Sequence, residues 1–179
     1  MANIANAQDA TTVFSITNGI NRLRLHGSEA MIVRASRENF NAHGFDVVSI
    51  FVRNDIGPGS GTWSIVPMFH SDAGVDHEDL HLLVGGGADC QLHDFRLLTS
   101  SNANSAQLIL ADREPGTSYA DAANVHFNYY VLSENSAESP GHPMLYFNWY
   151  KSQSARAQYC DVNRAFDQEL HLGTTSSNP

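Results

Sequence analysis

Lysine is almost missing from this chain. Lys151 is the single one among ten basic residues, set against 19 aspartates and glutamates, and the formal charge is -9 at pH 7. That balance supplies neither a basic groove to follow a phosphate backbone nor a polybasic patch for anionic lipid, so nucleic acid is excluded as a partner, and acidic ligands are repelled. Long apolar runs are lacking too. None approaches the roughly 20 residues a membrane-spanning helix requires, and membrane insertion is not expected. Cysteine is scarce: Cys90 and Cys160 are too few for a small disulfide scaffold. They pair if the compartment is oxidising, or remain two buried thiols if it is not. Several catalytic signatures are also lacking, namely G-x-S-x-G, the P-loop and G-x-G-x-x-G. Asp89 and Asp94 bracket Cys90 and His93, but closeness along the chain does not make a Cys-His dyad.

What is present suits one folded domain. The 179 residues are 42% hydrophobic and 16% charged, enough to bury a single core. Ala5-Asn6-Ala7 has the small-x-small form of a signal-peptidase site, with neither a basic nor an apolar region before it. The expected organisation is therefore a disordered segment or signal remnant over 1–12, a domain over 13–173 and a polar tail over 174–179.

Period-two patterns dominate the domain. Val13–Thr17 and Leu23–Leu25 flank Thr17-Asn18-Gly19 and read as a first hairpin. Further apolar or β-branched runs follow at 30–33, 45–52, 62–69 and 106–111, separated by glycine- and serine-rich breaks. Phe127-Asn128-Tyr129-Tyr130 returns as Phe147-Asn148-Trp149-Tyr150, the mark of two adjacent antiparallel strands. Val125, Phe127, Tyr129 and Val131 then share one face, and Leu145, Phe147 and Trp149 share a face of the partner strand. Tyr130, Tyr146 and Tyr150 are left as a candidate aromatic face for a ligand or partner. Only the end reads as helical: Val162, Ala165, Phe166, Glu169 and Leu170 form a stripe, with Asp161 as N-cap and Gly173 as the stop. The predicted class is all-β, an antiparallel β-sandwich or flattened barrel with a short C-terminal helix.

One motif demands a decision. His77-Glu78-Asp79-Leu80-His81 spells H-E-x-x-H, which binds zinc when a helix brings both imidazoles to one face and places the glutamate beside the metal-bound water. Between Gly74 and Gly85 there is room for about ten residues of helix at most, and the extended pattern would need glycine at Val84 and histidine at Gly87. A strand is the better reading. Leu80, Leu82 and Val84 then point one way, and His77, Asp79, His81 and Leu83 the other. Alternate strand residues can still converge on one ion, so His77, Asp79 and His81, with His93, are the candidate metal ligands. Solvent-facing histidines without a metal are the simpler expectation, and no cofactor is implied.

Three segments carry a resemblance. Asn41-Ala42-His43-Gly44-Phe45-Asp46-Val47-Val48, then 87–98 from Gly87 through Cys90 and His93 to Leu98, then Tyr159-Cys160-Asp161-Val162-Asn163-Arg164-Ala165-Phe166 resemble the carbapenem intrinsic-resistance, or CarG-like, family. Arg113-Glu114-Pro115-Gly116-Thr117-Ser118-Tyr119-Ala120-Asp121 fits as well. The resemblance implies an exported periplasmic protein of a Gram-negative bacterium that protects against carbapenem without being a β-lactamase. The residues agree: three positions before Lys151 stands Asn148, so the S-x-x-K arrangement of serine β-lactamases is absent. An exported relative would carry a Cys90–Cys160 disulfide. Its implied partner is carbapenem or another small molecule, or else a periplasmic protein or a second copy of the chain. A zinc metallopeptidase and a periplasmic interaction protein are the alternatives.

Overall fold

The fold is described from a computed structural model that covers residues 11–173, apart from 42, 56–59, 73, 86–88, 102, 117, 119 and the side chain of Asp72. The expected export remnant at Ala5-Asn6-Ala7, the tail 174–179 and Gly86-Gly87 lie outside the described residues. Twelve strands and one helix follow in order: β1 (Thr11–Val13), β2 (Gly19–Leu25), β3 (Ser28–Arg37), β4 (Phe45–Arg53), β5 (Trp63–Ile65), β6 (Met68–Asp72), β7 (Val75–Asp79), β8 (Leu82–Gly85), β9 (His93–Ser100), β10 (Ala106–Arg113), β11 (Val125–Glu134), β12 (Leu145–Ser154) and α1 (Val162–Leu170). The all-β class with a short C-terminal helix is what the chain adopts.

The strands form one open sheet in the order β2-β3-β4-β8-β9-β10-β11-β12-β6-β7, with β1 added to β9 and β5 to β4. All pairs are antiparallel except β12 with β6. The stretch from β5 to β6 ties distant parts of this path together. Val66 donates its N–H to the Ile50 carbonyl at 2.8 Å, and Phe147 donates to the Pro67 carbonyl at 2.8 Å. The sheet is thereby folded over an inner core that includes Leu25, Ile32, Val48, Leu97, Leu108 and Phe147. Pro67 cannot donate to a ladder, which is why the run expected over 62–69 divides into two short strands.

A second core lies on the other face of β10 and β11. Val162, Ala165 and Phe166 of α1 pack there against Ile109, Ala111, Val125 and Phe127. β10 is thus covered on both faces, and its apolar run through 108–111 needs no alternation. Burial of Phe166 contributes about 2–3 kcal/mol. Three devices hold the helix in place. Asp161 caps it by accepting from the Asn163 N–H at 2.7 Å. Cys160 is bridged to Cys90, with Cα atoms 5.4 Å apart. Arg96, only 3% exposed, donates to the Leu172 carbonyl at 2.9 Å and to Asn163 Oδ1 at 2.5 Å, and lies 4.2 Å from the Phe166 ring centre.

Four expectations change. Val13 and its neighbours join β9, with Phe14 N–H donating to the Leu97 carbonyl at 2.8 Å, so the first hairpin is β2–β3 instead. Its turn is His26-Gly27, with φ of 48° and 79°, the left-handed pair that a two-residue hairpin requires. Asn21 disarms the other turn by accepting from the Thr17 N–H at 2.9 Å and donating to the Thr17 carbonyl at 2.8 Å. Thr11 and Thr12 belong to β1 rather than to a disordered leader. The helix stops at His171, whose φ of 55° makes it the C-cap in place of Gly173. Finally, register puts Leu145, Phe147 and Trp149 on the face of Tyr130 rather than that of Val125, Phe127 and Tyr129, because Trp149 pairs with Tyr130 and Phe147 with Leu132. Val125, Phe127 and Tyr129 pack toward the helix, whereas Val131 is 40% exposed and Tyr130 joins the inner core.

Candidate functional site

Register places a set of polar side chains at one end of the inner sheet face. His93 pairs with Asp112, Leu110 with Asn128, Asn128 with Ser152, and Tyr130 with Trp149. Paired residues share a face, so these side chains project together. They meet His70 of β6, Asp79 of β7, and His81 in the bend before β8, around a cleft of about 700 Å³. Phe95, Leu82 and Leu110 add apolar surface. The volume lies in the range of small-molecule sites.

A hydrogen-bonded row crosses four strands on this face. His93 Nδ1 lies 2.9 Å from Asp112 Oδ1, and Asn128 donates to Asp112 Oδ2 at 3.5 Å. Ser152 donates to Asn128 Oδ1 at 2.5 Å, and Trp149 Nε1 donates to Ser152 Oγ at 3.2 Å. On the opposite wall the buried Nδ1 of His70 makes no hydrogen bond among the described residues. The Asp79 carboxylate is 3.5 Å from it, an ionic neighbour without hydrogen-bond geometry. Tyr130 is 4% exposed, and burial, followed by the charges of Asp79 and Asp112, pushes its phenol up to about 12. It is a neutral O–H at physiological pH. The site is therefore equipped to bind through aromatic surface, uncharged donors and carboxylates.

The candidate metal ligands are only partly gathered. Asp79, His81 and His93 line the cleft, whereas His77 is exposed on β7 with its ring stacked on that of His70 at 5.0 Å. Among the described residues no three His, Cys, Asp or Glu side chains are placed to hold an ion. The H-E-x-x-H stretch is split: His77 and Glu78 lie in β7, and a bend at Leu80-His81 leads into β8. Glu78 pairs with Phe69 and His77 with His70, so the two alternate faces. The single strand expected here is also corrected. Leu82 and Val84 are buried as anticipated, but the bend leaves Leu80 46% exposed.

The tyrosines do not form one platform. Tyr130 is in the cleft, Tyr146 packs against Phe69 and His142, and Tyr150 lies 6.2 Å from Tyr129 on the outer face. Register separates them: Tyr130 pairs with Trp149 and so shares the face of Leu145 and Phe147, from which Tyr146 alternates away. His70, Asp112, Asn128, Trp149 and Ser152 were not foreseen as site residues. Asp112 and Asn128 stand at inward positions of otherwise apolar strands, a signal readable only once the strand register fixes which face is inward.

These features define a class: an all-β protein with one helix and a ligand-sized cleft at the end of its inner sheet face. The chain belongs to the CarG-like family, whose model, described as "Carbapenem resistance protein CarG-like", matches residues 16–168. A solved structure titled "Crystal structure of CarG" shares the fold, with a TM-score of 0.69 and 21% identity over 88% of this chain and 94% of that one. No curated protein sequence is similar enough to this chain to count as a match.

Proposed function

We propose that this protein is exported to the periplasm and protects the cell from carbapenem without hydrolysing it, by binding a ligand or partner. The observation that carries this reading is the family match over residues 16–168. The Cys90–Cys160 bridge supports export, because disulfides persist in oxidising compartments. Geometry at the cleft supports the absence of acyl-enzyme chemistry. Lys151 lies on the outer face of β12, 4.8 Å from the Tyr129 ring centre, away from the cleft. The cleft hydroxyl of Ser152 is bonded to Asn128 and Trp149 rather than to a base. The test is expression in a carbapenem-sensitive Gram-negative host, with and without an export signal, followed by fractionation and survival counts. Increased survival only when the protein reaches the periplasm is expected. Equal survival with and without export, or no increase at all, contradicts the reading.

A further inference from the structure

We propose that the cleft at the end of β9–β12 binds a small organic cation, an ammonium group carried on a partly apolar body. Among the described residues its lining contains three carboxylates and neither lysine nor arginine. One of the three is already matched: Asp94 is 3.0 Å from Arg96 and also accepts from the Phe95 N–H at 2.8 Å. Among the described residues Asp79 and Asp112 have only neutral or imidazole partners, His70 for the first and His93 and Asn128 for the second. Asp79, Asp112 and the Tyr130 side chain line the same cleft, so both carboxylates border one volume. A cation placed there meets two carboxylates, whereas an anion meets the same charges with no basic side chain to offset them.

Tyr130 supplies an independent feature that points to a ligand in the cleft. Its side chain is more than nine-tenths buried and lines the cleft, yet its hydroxyl makes no hydrogen bond among the described residues. The hydroxyl is not among the atoms buried without a partner, so it opens into the cleft, where it can donate to a ligand oxygen or accept from an ammonium. Trp149 beside it offers an aromatic wall for cation–π or stacking contact, and Phe95, Leu82 and Leu110 cover an apolar body.

This inference stands apart from the protection reading, since it concerns occupancy of the cleft and is read without carbapenem. Trp63 and Trp149 are the two tryptophans of the chain. A Trp63→Phe protein therefore leaves Trp149 as the reporter. Its fluorescence is followed while 2-phenylethylamine, the neutral 2-phenylethanol or anionic phenylacetate is added at low salt, into the millimolar range. The amine is expected to saturate, with the alcohol about tenfold weaker and the acid without effect. Asp79→Asn or Asp112→Asn should weaken the amine about fivefold and leave the alcohol unchanged. Raising salt on the protein with both aspartates intact should do the same, independently of how the variants fold. Equal affinity for amine and alcohol, binding of phenylacetate, indifference to salt and to both aspartates, or no saturable change with any probe would each overturn the proposal.

Discussion

Arg96 shows how one residue can hold two parts of the fold together. Buried at 3% exposure, it pairs with Asp94 and donates to the chain beyond α1. Arg96→Leu should cost about 3–5 kcal/mol in urea unfolding, because Asp94 is left as an unpaired charge with little solvent. Asp46 makes a pH-dependent contribution. Burial acts to raise its pKa, but hydrogen bonds from Ser36 and Arg34 and the Arg34 charge outweigh it, and the result lies below the usual 3.8. A depressed carboxylate stabilises fully above its unfolded value and loses that contribution as pH falls through the folded one. Unfolding curves of the parent and Asp46→Asn should therefore differ most above about pH 4 and converge at more acid pH. The opposite result is expected on β7. His77→Ala and Glu78→Gln should each change stability by only about 0.5 kcal/mol, since both side chains are exposed. These residue roles were unevenly legible: the H-E-x-x-H letters stand out in sequence and have no joint geometry, whereas Arg96 has no local signal, because its partners lie as far away as Leu172.

Elements were easier to read than their partners. The stripe Val162, Ala165, Phe166 announces α1, and the Phe-Asn-aromatic-Tyr echo announces β11 and β12, because side-chain periodicity is a local property. Facing along β12 was not legible beyond Trp149, since a bulge inserts Tyr150 as an extra residue without any composition signal, so that Ser152 rather than Lys151 shares the cleft face with Trp149. The first turn failed for a related reason: Asn18-Gly19 is a good hairpin signal, but the Asn21 side chain takes up the local backbone groups and sends the chain across to β9. The disulfide joins the helix element to the segment before β9 across a sequence separation of 70. Replacing both Cys90 and Cys160 by alanine should lower stability by about 4 kcal/mol through loop-closure entropy. Urea melts of the double variant and of the reduced parent should agree, and a thiol count on the denatured, unreduced parent should find none.

At the scale of the whole molecule, the sheet order is the part the sequence hides. β5 and β6 join β4 to β12, and β8 returns to lie between β4 and β9, so neighbours in the sheet are remote in the chain. No local pattern encodes such pairings, and the cleft they assemble was therefore visible only as isolated candidates, Asp79, His81, His93 and Tyr130, drawn from unconnected segments. The family relation ties the chain to carbapenem resistance, and protection without hydrolysis is the proposal to be tested. Direct measurement is by incubating the purified, disulfide-intact protein with a carbapenem and following the ring absorbance, alongside survival of the periplasm-expressing host from which the protein came. The account predicts increased survival with drug loss no faster than in buffer. Drug loss that rises in proportion to added protein would contradict it.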